Sequence, residues 1–326
     1  MKTPGDKLLS IVFSFRNEQE VLRELIKRCR SILQSEAIKK VFPHYELIFV
    51  NDASNDNSLE ILVEESKKNN DIKIINMSRC FGISPCALAG MQYSSGDAVI
   101  YMDADLQDPP EVIPQIIETF ASDPDVEVVH TVRKSREGES LIKIFLTKLG
   151  YQILRRTTPF KMTPETGDFK LLSRKTVNEL IKLKEKNPFL RGLVCWIGFK
   201  QAYVDYDRSA RYAGKTKFPV LSKRVISNFL KSALISFSSL PLHIGTAIGL
   251  LAITIDLFLL VHVVHEKMIG KAVPGWAAIM VTIIFFGSVQ LISLGIIGIY
   301  LNEIYQETKR RPNFIIDNTF GFNDSP

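Results

Sequence analysis

The chain has 326 residues, with 41 Lys and Arg against 35 Asp and Glu, a net charge of +6 and a pI near 9.0. That length allows a sizeable core and more than one compact unit. The basic balance points to anionic partners, and because the basic residues form no single long stripe, phosphate and membrane rank ahead of nucleic acid. Cys29, Cys80, Cys86 and Cys195 form no C-x-x-C pair and have no histidine at ligand spacing. A zinc site or disulfide framework is thereby disfavoured, and a reducing compartment fits. The opening MKTPGDKLLS lacks the apolar core and cleavage site of a signal peptide, so the main domain is expected to stay on the side where it was made.

LLSIVFSF (8–15) predicts a first strand, ending in Arg16-Asn17-Glu18, and apolar spacing over 21–33 predicts a helix. YELIFV (45–50) predicts a second strand ending in NDASND, followed by a helix over 58–65 in which Asp56 serves as cap. Further strands are expected at 72–75 and 98–102, with a helix over 85–93 between them. Alternation at this pace predicts an α/β fold with a parallel sheet and right-handed crossovers. Polar strand tips then converge on one edge, where Glu18, Asp52, Asp103 and Asp105 share a crevice, the position at which open α/β sheets bind ligands.

YMDADLQDPPE (101–111) is the stretch around which the chain is organised. Asp103 and Asp105, at i and i+2 beyond a buried strand, with the Gln107 carbonyl two residues on, supply the hard oxygen donors that Mg²⁺ or Mn²⁺ accepts. Pro109 and Pro110 then launch a helix. The first strand-to-helix turn, FSFRNEQE, holds no glycine, which excludes the close backbone approach of a dinucleotide fold; no G-x-x-x-x-G-K-[ST] occurs either. A bound nucleotide must be held by a metal and by side chains.

Taken in order, SIVFSFRNEQE, FVNDASNDNS, SRCFGISPCALAG, YMDADLQDPPE, TGDFKLLSRK, RGLVCWIGF, DRSARYAGKTKF and YQETKRRPNF resemble the inverting glycosyltransferases of family 2 with GT-A fold. Within that family they resemble the bacterial polyisoprenyl-phosphate branch related to dolichol-phosphate mannose synthase, of undecaprenyl-phosphate glucosyltransferase type. The resemblance implies a nucleotide-sugar pocket lined by Ser14, Glu18, Asp52 and Asp103, with Asp52 reaching the base. It implies a divalent cation on the diphosphate held by Asp103, Asp105 and Gln107, and phosphate contacts from Arg208, Arg211 and Lys217. The chain departs from the family at Ser14 and Arg16 (usually Pro and Tyr), Ala53 (Gly), Cys80 (Asn) and Ile83 (often Lys). These departures touch the donor pocket and leave the metal ligands intact.

A strand over 126–132 runs into Arg133-Lys134-Ser135-Arg136. Arg133 and Arg136, on the side of the aspartates, are placed to pair with a lipid phosphate, while Lys134 faces water. Asp168, ahead of Leu171-Leu172, is the lone carboxylate that an inverting transfer needs on the acceptor side. Ser173 is the cap of the helix that follows. A helix over 187–196 and a strand over 199–206 precede the basic loop 207–218, which is expected to close over the diphosphate.

The expected organisation is a catalytic domain (1–216), an interfacial amphipathic helix (217–234), a two-span transmembrane hairpin (235–305, spans about 238–264 and 276–301) and a C-terminal tail (306–326). Lys223, Arg224 and Lys231 before the spans, and Lys309, Arg310 and Arg311 after them, put the catalytic domain and both termini in the cytoplasm by the positive-inside rule. His243, Asp256, His262 and Gln290 in or near the spans suit contacts in a homo-oligomer. The expected activity is transfer of one sugar, from UDP-glucose by resemblance, to a polyprenyl phosphate at the membrane face. A processive synthase would carry Q-x-x-R-W and more spans, and a catalytically silent nucleotide-binding scaffold would not need Asp103, Asp105 and Asp168 together.

Overall fold

The computed structural model describes residues 6–134, 166–208, 240–269 and 275–322. The expected contacts Arg136, Arg211 and Lys217, and the interfacial helix at 217–234, lie outside them.

Strands β1 (Leu8–Phe15), β2 (His44–Asn51), β3 (Ile72–Met77) and β4 (Ala98–Asp103) form the parallel centre of an eight-stranded sheet. Each is buried along most of its length, as expected of strands covered on both faces. Helices α1 (Leu22–Leu33), α3 (Ser58–Lys68) and α4 (Ile83–Tyr93) make the crossovers, with a short α2 (Glu36–Lys39) after α1. On one face α1 and α5 (Ile113–Ser122) cover a core that includes Phe13 and Phe49, whose rings stack at 4.7 Å. On the other face α4, α6 (Arg174–Lys182) and α7 (Leu190–Trp196) cover Val12, Val50, Tyr101 and Leu172. Gly90 lets α4 sit directly on β1, since a Cβ there would lie 2.2 Å from Val12 Cγ1.

Past β4 the alternation breaks. The order across the sheet is β7-β5-β6-β4-β1-β2-β3-β8, with β5 Val128–Arg133, β6 Thr166–Ser173, β7 Gln201–Tyr206 and β8 Ile316–Phe320. Strand β6 runs antiparallel to both β4 and β5, so the sheet is mostly, not wholly, parallel. Asp168 therefore lies inside a strand instead of ahead of one, and that strand delivers it beside β4. Ser173 caps α6 as expected, accepting from Thr176 N. Asp56 closes an Asx turn by accepting from Ser58 N at 3.1 Å, while Asn57 holds the cap position.

Two long helices follow, α8 (Leu240–Met268) and α9 (Trp276–Thr308), packed against each other, with Ile296 close to Gly245. Among the described residues one stretch, Phe285–Thr308 of α9, has the length and mean hydropathy (1.6) to cross a membrane, and none of it is buried. Helix α8 also presents Leu250, Leu251, Ile253, Leu257 and Phe258 outward. His262 and Gln290 are exposed; the side chains of His243 and Asp256 lie outside the description. Beyond α9 the chain returns to the sheet and adds β8 antiparallel to β3.

Candidate active site

Parallel pairing of β1 with β4 sets Ser14 beside Asp103. Ser14 Oγ donates to Asp103 Oδ1 at 3.1 Å and shares a 2.9 Å hydrogen bond with the buried Tyr101 hydroxyl. The chain then turns sharply: Leu106 takes φ +57°, a conformation unfavourable for its side chain, and Asp105 Oδ1 accepts from Gln107 N at 3.1 Å. Burial, and then the charges of Asp168, Asp105 and Asp108, raise the Asp103 carboxyl to about 7. Several carboxylates thus crowd one place, and a cation there relieves their mutual repulsion.

Two further carboxylates carry their own cations. Asp108, 1% exposed, accepts from the Tyr206 hydroxyl and lies 3.7 Å from Arg133 and 3.5 Å from Arg208. Arg133 Nε also donates to Tyr206 Oη at 3.1 Å, and Arg208 Nη2 donates to Gln107 Oε1 at 2.7 Å. Arg133 and Arg208 are thus gathered beside the aspartates, and Gln107 already serves as acceptor to Arg208. Asp168 is gripped by Arg191 of α7, from Nε at 2.9 Å and from Nη2 at 2.5 Å. Burial alone would raise the Asp168 carboxyl, but Arg191, helped by Lys170 and Arg133, holds it well below the usual carboxylate range. Lys170, two residues along β6, is 2% exposed with no hydrogen-bond partner for its ammonium group among the described residues, and burial lowers it to about 8.

Asp52, at the tip of β2, accepts from Phe81 N at 2.6 Å, Gly82 N at 3.1 Å and Cys80 Sγ at 3.1 Å. The loop can wrap the carboxylate because Gly82 takes φ +97°. Glu18 is buried after β1, and its backbone N donates to Ser58 Oγ at 2.9 Å. Lys134 is exposed.

A cavity of about 1160 Å³ joins these parts: Ser14, Glu18, Asp52, Asp103, Asp105 and Arg208 line it, and so do Asn302, Glu303 and Gln306 at the end of α9. Of the described residues assigned from the sequence, all but Arg133 and Asp168 line this cavity, and Arg133 is tied to its edge through Asp108. The sequence-based assignment missed Asp108, Lys170, Arg191 and Tyr206. A lone arginine in the otherwise apolar FLRGLVCW was the available signal for Arg191.

Among the described residues no three His, Cys, Asp or Glu side chains group as a metal cluster. Asp103 and Asp105 still form an all-oxygen donor set of the kind Mg²⁺ or Mn²⁺ takes when substrate phosphates complete its shell. The charge crowding on Asp103 fits that occupant.

The pattern described as Glycosyl transferase family 2 matches residues 10–181. An uncharacterized glycosyltransferase of Synechocystis sp. is 40% identical over 98% of this chain and 97% of its own. The bactoprenol glucosyl transferase of Shigella phage SfV is 32% identical over 95% of this chain and 98% of its own. Among solved structures, glucosyl-3-phosphoglycerate synthase from Mycobacterium tuberculosis, in complex with Mn²⁺, UDP-glucose and phosphoglyceric acid, aligns with a TM-score of 0.46 and 19% identity over 70% of this chain and 80% of that one. By the extent of the family match and of these relatives, the chain is a transferase enzyme that belongs to glycosyltransferase family 2.

Proposed function

We propose that this enzyme transfers a single sugar from a nucleotide-diphosphate sugar, UDP-glucose first, to a polyprenyl phosphate at the cytoplasmic membrane face, with inversion. The observation that carries this reading is the shared cavity: one wall is the aspartate pair and another is the polar end of α9, whose preceding turns are apolar and exposed. An acceptor whose chain lies along α9 presents its phosphate at that junction. The bactoprenol glucosyl transferase relative supports a polyprenyl phosphate as acceptor. We propose further that α8 and α9 form a two-span hairpin, that the domain bounds are those expected from the sequence, and that the chain is a homo-oligomer in the membrane.

In this mechanism Asp103 and Asp105, with Gln107, hold Mg²⁺ or Mn²⁺, which when bound offsets charge on the leaving diphosphate. Ser14, Glu18 and Asp52 line the donor pocket. A phosphate oxygen of the acceptor attacks the anomeric carbon from the face opposite the nucleotide, the bond from that carbon to the diphosphate oxygen breaks, and the nucleotide leaves with that electron pair. The acceptor phosphomonoester, with a second pKa of about 6, is mostly ionised at neutral pH and needs little help from a base. Asp168, paired with Arg191, is a weak base, so its part is to fix Arg191 toward the incoming anion. Arg133 and Arg208, together with Arg136, Arg211 and Lys217, supply further positive charge around the phosphates.

Transfer of radiolabelled sugar from a panel of nucleotide sugars to polyprenyl phosphate, read as extractable lipid with and without EDTA, tests the proposal. Labelled lipid that disappears with EDTA is expected, with UDP-glucose the best donor and the product linkage inverted. Absence of labelled lipid from every donor would overturn it.

A further inference from the structure

The segment leaving α9 crosses back to the sheet as a strap, and it is pinned along its length. Lys186 N donates to Glu307 Oε1 at 2.7 Å, and Asn187 Nδ2 donates to Glu303 Oε2 at 3.0 Å. Lys186 Nζ donates to the carbonyl oxygens of Arg311 and Pro312, and Asn313 Nδ2 donates to Glu185 O at 2.7 Å. Phe314 packs on the second core. Ser78 N donates to Ile315 O at 3.0 Å, and β8 then pairs with β3, Asn318 opposite Asn76.

These contacts use the side chains of Glu303 and Glu307 at the end of α9 and, within the strap itself, its backbone, Asn313 and Phe314. The Arg311 side chain is left exposed on the wall of the cavity and forms no ion pair among the described residues. The Ser78–Ile315 hydrogen bond sets the strap against the start of the 78–82 loop, the same loop whose amides bind Asp52. The strap therefore flanks the end of the cavity assigned to the nucleotide. A guanidinium fork on a concave wall matches the paired oxygens of a phosphate.

We infer that the segment joining α9 to β8 is a wall of the donor site, and that Arg311 binds the diphosphate of the donor nucleotide. This rests on the proposed function, which makes the donor a nucleoside diphosphate sugar. The strap would then tie donor occupancy to the end of α9, where the acceptor's phosphate arrives.

The test is calorimetric titration of the full chain in detergent with MnCl₂. UDP and GDP are first compared on the wild-type protein, and the tighter binder is used with its parent nucleoside. Binding of neither nucleotide to the wild type overturns both this inference and the function on which it rests. With wild-type binding in hand, Arg311→Ala is expected to weaken the diphosphate about tenfold and to leave the nucleoside unchanged, with Arg311→Lys restoring part of the loss. Unchanged affinity for the diphosphate in Arg311→Ala overturns the inference while leaving the proposed function standing. Equal losses for diphosphate and nucleoside also overturn it, because they show a collapsed wall or a contact to the nucleoside.

Discussion

Arg191→Met keeps the apolar stem of the side chain and removes both hydrogen bonds to Asp168, leaving a carboxylate whose surroundings were built for a partner. Arg191 and Asp168 keep 31% and 20% of their side-chain surface exposed, so the pair lies between a surface bridge and a buried one. Exposed pairs contribute at most about 1 kcal/mol, whereas removing one partner of a fully buried pair costs about 3–5 kcal/mol. The bidentate geometry and partial exposure together place this pair near about 2–3 kcal/mol. A double-mutant cycle of Arg191→Met with Asp168→Asn, read by denaturant unfolding through the fluorescence of Trp196 at the end of α7, measures that coupling directly.

The pH dependence has a definite sign. In the wild type the Asp168 carboxyl is lowered, so its contribution is present above the unfolded value of about 4 and is lost as pH falls through the lower folded value. In Arg191→Met the burial that raises this carboxyl loses its main opponent, so the ionised group becomes a liability above pH 4. The stability gap between the two proteins is therefore widest near pH 7 and narrows as pH falls through 4 and below. A coupling under about 1 kcal/mol, or a gap of equal size at pH 7 and pH 4, would refute a pairing of this strength.

Asp105→Ala should abolish transfer at any added Mn²⁺ concentration reached by the wild type, measured as labelled lipid; retained turnover would remove Asp105 from the metal site. Asp168→Ala should lower turnover while leaving nucleotide affinity nearly intact, and a large loss of that affinity by calorimetry would move Asp168 to the donor side. Tyr206→Phe strips a hydroxyl donor from the buried Asp108 and should cost about 1–3 kcal/mol in unfolding free energy, more than an exposed tyrosine would. Gly90→Ala forces a methyl group to within 2.2 Å of Val12 Cγ1 and should cost about 1–3 kcal/mol, since α4 must lift from β1; unchanged denaturation would show that the helix has room to shift.

The parallel half of the sheet was legible because its strands are covered on both faces and read as nearly unbroken apolar runs. Strand β6 was not, for it carries Asp168 and Lys170 on a buried face and leaves Leu171-Leu172 as its only aliphatic signal. Its insertion antiparallel between β4 and β5 follows from long-range pairing that local alternation does not encode. IDNTF of β8 has no apolar period, and it is a strand because it covers the edge of β3. The Asp103 and Asp105 pair could be found because its spacing is local. Arg191 could not be paired with Asp168 from the sequence, since a helix 23 residues on supplies it.

The distribution of arginines over the aspartates explains why so many acids can share one edge. Asp108 is neutralised by Arg133 and Arg208, and Asp168 by Arg191, so these two carboxylates enter the fold with their counter-charges built in. Asp103 receives instead the hydroxyl of Ser14, a neutral donor, and it is burial first, and then the charges of Asp168, Asp105 and Asp108, that raise its carboxyl to about 7. A divalent ion at Asp103 and Asp105 would reverse that shift, because a charge of +2 next to a carboxylate favours its ionised form. Replacing Arg133 or Arg208 with an uncharged residue should therefore weaken binding of the acceptor phosphate and at the same time strengthen the hold on the metal. The apparent Mn²⁺ requirement of Arg208→Ala should fall severalfold relative to wild type, because a cation that repels the metal and occupies Gln107 Oε1 is gone. An unchanged requirement would show that Asp108 is electrostatically isolated from the pair, and the edge would then have to be read as separate sites.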